Sequence, residues 1–217
     1  MRFESLRQQV LDANLALPKH RLVLWTSGNA SARDPETNLV IIKPSGVLFD
    51  DLTVENLVIV DLDGNVVEGD LKPSVDTASH LYVYRHRDDV HGIIHTHSPF
   101  ATSFAIRGEP LPIYTTTSAA VFGQAVPISD FAIIGEEEIG KEIVEKIGTC
   151  NAILMRSHGV FTIGKNVMSA LKNAVILEET AEVVHLALLR GDMQPLPDET
   201  VKRGYEIYHS SYGQKKE

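Results

Sequence analysis

The chain has 217 residues, is 43% hydrophobic and 23% charged, and carries a formal net charge of −9, the profile of an ordinary soluble globular protein. That charge argues against a general nucleic-acid-binding face. The single cysteine, Cys150, excludes an internal disulfide framework, and no apolar run reaches the ~18 residues of a membrane span. Met1–Arg7 is charged and has no apolar signal core, so a cytoplasmic location is expected. No repeat or low-complexity linker divides the chain, and residues 1–217 read as one domain large enough to bury its own core.

In chain order, Leu6, Val10, Ala13 and Leu17 recur at near-helical spacing, and Pro18 is expected to end that helix. Leu39–Lys43 and Leu57–Asp61 are β-branched runs that predict strands, and Asp63-Gly64-Asn65 predicts a turn leading to Val66-Val67. A helix is expected from Ser74 to about His86, with Ala78, Leu81 and Tyr82 on one face, followed by a strand over Val90–Thr96. Ser98-Pro99 combines N-cap chemistry with proline at the first helical position. Gly135 to Ile147 predicts a helix whose acidic first turn, Glu136-Glu137-Glu138, suits the dipole. Ala152–Met155 and Val160–Ile163 predict paired strands around Ser157-His158-Gly159. Asn166 caps the longest helix, expected to run to about Arg190 and stop at Gly191, and a last helix is expected after Asp198. The fold class is therefore α/β, with a mainly antiparallel sheet flanked by helices.

Chemistry concentrates at Gly92-Ile93-Ile94-His95-Thr96-His97. Residues i and i+2 of a strand share a face, so His95 and His97 can ligate one cation while Thr96 points away. An isolated H-x-H is more often a pair of surface or capping imidazoles. Two further features strengthen the metal reading. His158 sits at a tight turn between apolar strands, where a lone histidine is ordinarily a hydrogen-bonded turn residue. Asp76 begins a helix, where a lone acid ordinarily serves the dipole. Three imidazoles and a carboxylate make a compact divalent site, with Zn2+ first and Mn2+ or Co2+ as alternatives; the carboxylate can instead carry a proton.

Three polar turns, Thr26–Ser31, Lys43-Pro44-Ser45-Gly46 and Lys72-Pro73-Ser74, supply hydroxyls and backbone N–H groups, and two carry a lysine. Such turns bind phosphate, although each is also a common turn sequence on any protein. The other histidines read as bland: His80 as a packing or capping residue, His20, His86, His91 and His209 as surface residues, and His185 as a core or interface residue. Cys150 reads as a small apolar side chain.

Taken together, these motifs resemble the class II aldolase and epimerase superfamily over nearly the whole chain. The resemblance rests on Val10–His20, Gly28-Asn29, Ile42–Gly46, Lys72-Pro73-Ser74 with Asp76-Thr77, Gly92–Ser98, Ser157-His158-Gly159, Gly164-Lys165-Asn166, Leu177-Glu178-Glu179 and Tyr212-Gly213-Gln214. It implies a three-layer sandwich in which His95, His97 and His158 hold zinc, with Asp76 a fourth ligand or proton carrier. It implies phosphate contacts from Gly28, Asn29, Ser45, Gly46 and Ser74, with Lys43 close by. It also implies a homotetramer with sites between subunits, where Tyr212 reaches into the neighbour's site as an acid/base. The implied reaction is metal-dependent epimerisation of L-ribulose 5-phosphate to D-xylulose 5-phosphate at C4, by retro-aldol cleavage and re-addition, in arabinose catabolism.

Lys43, and aspartate rather than glutamate at position 76, favour the epimerase branch. Two departures point elsewhere: Ala120 stands where the epimerase pattern has a catalytic aspartate, and Val75 where a second serine is usual. They favour a class II sugar-phosphate aldolase, fuculose-phosphate-like, or a related decarboxylase. A non-catalytic, adducin-like interaction domain is a third reading; it predicts lost metal ligands, and the candidate ligands are all present here. An all-β cupin also uses H-x-H, but the long helix from Asn166 argues against it.

Overall fold

The computed structural model describes residues 3–211. Within them one antiparallel sheet contains β1 (Asn29–Arg33), β2 (Val40–Ile42), β3 (Val58–Val60), β4 (Val66–Glu68), β5 (Gly92–Thr96), β6 (Ala152–Met155) and β7 (Gly159–Gly164). Their order across the sheet is β4-β3-β2-β1-β5-β7-β6. The helices are α1 (Glu4–Lys19), α2 (Thr77–His86), α3 (Pro99–Arg107), α4 (Thr116–Phe122), α5 (Glu138–Lys146), α6 (Val167–Leu188) and α7 (Asp198–Ser211).

Side chains alternate across a strand, and here both faces are covered. Val58, Val60, Ile93, Phe161 and Ile163 join Leu81, Phe104 and Ile139 in one apolar cluster. Leu57, Ile59 and Ile94 join Val10, Leu17 and Val167 in a second, on the opposite face. Each fully buried side chain of this size contributes about 1.5–3 kcal/mol. The result is the expected helix–sheet–helix sandwich.

Most expected elements are present, with local differences. Pro18 lies inside the last turn of α1, and the helix runs one residue past it. In α2 the buried residues are Thr77, Ser79, His80, Leu81, Val83 and Tyr84, whereas Ala78 and Tyr82 are half-buried. That face is set by polar partners on β1 as well as by apolar packing. Ser98 precedes α3 but makes no side-chain cap bond; the first free N–H groups of that helix go elsewhere, to Glu178 of α6. Asn166 does cap α6, in a capping box with Ser169.

Two elements have no clear sequence signal. One is β1, Asn-Ala-Ser-Ala-Arg, which is central in the sheet and fully buried. Ala30 and Ala32 face the α1 side. Asn29, Ser31 and Arg33 are paired instead with α2 and its flanking residues. The other is α4, opened by a capping box between Thr115 and Ser118.

Candidate active site

The β5 strand is flanked by β1 and β7, with His95 opposite Asn29 on one side and Phe161 on the other. Backbone pairing on both sides fixes where the His95 side chain starts. Its ring stacks on Phe161 at 4.2 Å between centroids and 19° between planes. Nδ1 lies 3.0 Å from the Val160 carbonyl. A carbonyl only accepts, so Nδ1 donates there and Nε2 keeps its lone pair, the usual way a metal-binding imidazole is oriented. His97 follows the end of β5, and its Nε2 lies 3.0 Å from His95 Nε2. His158 is on the short turn between β6 and β7, next to Ser157, whose φ of 59° is left-handed. Gly159 closes that turn: a Cβ there would lie 2.4 Å from the Thr96 carbonyl and 2.7 Å from the His97 ring. Only glycine lets the turn approach β5 closely enough to bring His158 to the other two.

The donor atoms of His95, His97 and His158 all lie within 4.8 Å of one another. Burial pushes the His95 imidazole down to about 3 and lowers His97 and His158 as well. All three are therefore neutral at pH 7, the state a metal ligand requires. His158 Nδ1 is buried without a hydrogen-bond partner. Neutral imidazoles and a polar atom lacking a protein partner fit a borderline divalent ion such as zinc.

Asp76 stands at the start of α2, but its side chain makes no cap bond. It faces β1 instead: Asn29 Nδ2 donates to Oδ2 at 2.7 Å and to Ser74 Oγ at 3.0 Å. Burial opposes ionisation of this carboxyl, yet the His95 and His80 imidazoles facing it and the Asn29 amide outweigh that. The carboxyl sits below the usual range. His80, one turn along α2, is wholly buried and meets Ser31 Oγ at 2.7 Å through Nδ1. It packs, as expected.

The three polar turns converge on the same place. Gly28, at a φ of 79°, abuts Val23 and the His95 carbonyl, where a Cβ would come within 2.4 Å and 2.8 Å. The turn over Ser45 pairs with the turn over Ser74 through two backbone hydrogen bonds, Ser45 N–H to Lys72 and Ser74 N–H to Lys43. Lys43 is 2% exposed. Its ammonium donates to the Val47 carbonyl at 2.8 Å and lies 4.9 Å from the Phe49 ring centroid. Burial lowers its pKa to about 8.

One cleft of about 300 Å3 is lined by Gly28, Asn29, Lys43, Ser45, Gly46, Ser74, Asp76 and the three clustered histidines. Every candidate residue within the described part of the chain is in this lining; Tyr212 lies outside the described residues. Thr26, Ser27 and Pro44 also line it, as do Val75 and Ile134, both more than half exposed. Ile134 comes from a distant loop and has no signal in the sequence. Ala120 is half-buried on α4 and is not among the lining residues. Ser118 spends its hydroxyl on the α4 capping box, and Thr116 lines a separate hollow against α7.

Sheet order, helix placement and the imidazole cluster define a class II aldolase-type architecture. The chain belongs to the Class II Aldolase and Adducin N-terminal domain family, which it matches over residues 8–185. It is 39% identical to L-ribulose-5-phosphate 4-epimerase UlaF of Salmonella paratyphi C, with 98% of this chain and all of that protein covered. Among solved structures it resembles an L-fuculose 1-phosphate aldolase with a TM-score of 0.91 and 32% identity, covering 96% of this chain and 98% of that one. The L-fuculose-1-phosphate aldolase of Thermus thermophilus superposes with a TM-score of 0.75 at 26% identity, covering 88% and 98%. Among the described residues no helix is long and apolar enough to cross a membrane.

Proposed function

We propose that the protein is a metal-dependent sugar-phosphate epimerase that interconverts L-ribulose 5-phosphate and D-xylulose 5-phosphate at C4. The observation that carries the proposal is the single cleft joining an imidazole cluster, a buried carboxylate and three phosphate-type turns. The 39% identity to an epimerase over its full length supports the choice of substrate.

In this reading His95, His97 and His158 would hold a zinc ion, which when bound would supply Lewis-acid polarisation of the ketose carbonyl. The Gly28 and Ser45-Gly46 turns bind the phosphate through backbone N–H groups, Ser74 adds a hydroxyl, and Lys43 balances charge. Asp76, aimed into the cleft by Asn29, handles the proton of the C4 hydroxyl. As that proton passes to the Asp76 carboxylate, the C3–C4 bond breaks, its electron pair moves towards the C2 carbonyl to leave the three-carbon fragment as an enediolate, and C4 becomes an aldehyde. Re-addition to the opposite face of the aldehyde restores the bond and the proton with C4 inverted. Tight phosphate contacts keep the two-carbon aldehyde in place between the steps. Residues 1–217 act as one domain, in the cytoplasm, within a homotetramer whose sites are completed across subunits by Tyr212. Exposed Ile106, Leu188 and Leu189 line one apolar hollow suited to such an assembly.

Ala120 favours a second reading, a class II aldolase that releases its aldehyde. Incubating the metal-loaded protein with L-ribulose 5-phosphate separates the two. The proposal expects D-xylulose 5-phosphate without accumulating glycolaldehyde phosphate. No pentulose product rejects it, and free aldehyde favours the aldolase.

A further inference from the structure

His95 and His97 are held by different means. Sheet pairing of β5 with β7 ends at Thr96 opposite Val160, so His97 lies beyond the last paired residue, in the two-residue link between β5 and α3. The fixed start of α3 is what limits where that link can go.

That start is set from a distance. Pro99, at the first helical position, has no N–H. The next two N–H groups, of Phe100 and Ala101, donate to Glu178 Oε1 at 2.9 Å and Oε2 at 2.8 Å. The Thr102 N–H already bonds the Ser98 carbonyl. One carboxylate therefore takes the open donors at the head of α3, with both oxygens in use and favourable charge at a helix N-terminus. Glu178 is 8% exposed in the middle of α6. It belongs to Leu177-Glu178-Glu179, a motif to which the cleft itself assigns no role.

We infer that Glu178 is a positioning residue for His97: by clamping the first turn of α3 to α6, it holds the link that presents this imidazole to His95 and His158. The inference rests on the reading of the cluster as a metal site. Partners behind a ligand are worth roughly 10–100-fold in metal affinity. Glu178→Gln keeps the shape but places an amide donor where an N–H needs an acceptor.

The test is zinc affinity by chelator competition on folded protein, for wild type, Glu178→Gln, His97→Gln and the double variant. Glu178→Asp, shorter by one methylene, serves if the glutamine variant does not fold. Asn166→Ala, which removes the α6 cap far from His97, controls for general destabilisation. Glu178→Gln is expected to weaken zinc binding about tenfold or more, Asn166→Ala to leave it unchanged, and Glu178→Gln to add nothing once His97 is Gln. Wild-type affinity in Glu178→Gln, or an undiminished loss in the His97→Gln background, overturns the inference. A wild-type protein that binds no zinc overturns instead the metal reading beneath it.

Discussion

His95 and Ser45 line the same cleft, but the walls they belong to are built differently. His95 is on a strand paired on both sides, with its ring stacked on Phe161 and its Nδ1 tied to Val160. Ser45 and Gly46 are exposed on a turn, and a Cβ at Gly46 would meet nothing within 4 Å. His95 has no slack, whereas the Ser45-Gly46 turn has room. Changes to the first should therefore strike turnover and metal retention, and changes to the second should mainly alter substrate affinity.

The largest effect should come from the imidazole wall. His95→Asn should lower kcat by about a thousandfold, equivalent to ~4 kcal/mol of transition-state stabilisation, with metal content falling in parallel. His86→Asn, on the exposed end of α2, should change neither. Asp76→Asn comes next: it keeps the shape beside Asn29 but cannot take up a proton, so kcat should drop at least ~100-fold with bound metal largely retained. Comparable kcat in wild type and Asp76→Asn would remove Asp76 from the proton-handling role.

Lys43 is the main cation on the wall proposed to hold the phosphate. Lys43→Met should raise KM for the phosphorylated ketose by roughly 10–100-fold, the value of a charge-assisted contact, and leave kcat close to wild type. Its pKa near 8 adds a sign: the ammonium is present below pH 8 and lost above it. KM measured across pH 7–10 should accordingly rise above pH 8 in wild type and stay flat in Lys43→Met. Smallest is the contrast between two glycines. Gly159→Ala drives a methyl into Thr96 and His97 and should cost ~1–3 kcal/mol with weakened metal retention. Gly46→Ala, strained only by its φ of 70°, should cost about 1 kcal/mol and leave the metal site alone. Thermal melts with metal analysis of both variants check this; equal metal loss would mean the two walls are not independently built.

Much of this architecture is legible in the residues, and the gaps have physical causes. The β-branched runs of β2, β3 and β5, and the Asn166-capped α6, announce themselves through apolar periodicity and capping chemistry. Strand β1 does not, because Asn29, Ser31 and Arg33 point not to solvent or apolar core but to polar partners around α2. Strand-like alternation is present as polar against alanine, a pattern that local hydrophobicity does not reveal. The same long-range pairing explains α3: Ser98-Pro99 marks where the helix begins, yet the acceptor for the Phe100 N–H comes from Glu178, 78 residues later. For the cleft, the H-x-H and glycine turns are recognisable locally. That they meet depends on register between β1, β5 and β7 and on the close approach allowed by Gly28 and Gly159. Ile134 at the rim could be found only from the folded chain.

The most direct test of a single metal centre shared by three imidazoles is divalent-metal stoichiometry in purified wild type and in His95→Asn, His97→Asn and His158→Asn. One ion per chain in wild type, and clearly substoichiometric metal in each variant, is the predicted result. Full occupancy retained in all three variants, or a wild-type protein that turns over sugar phosphate without any divalent ion, would contradict it.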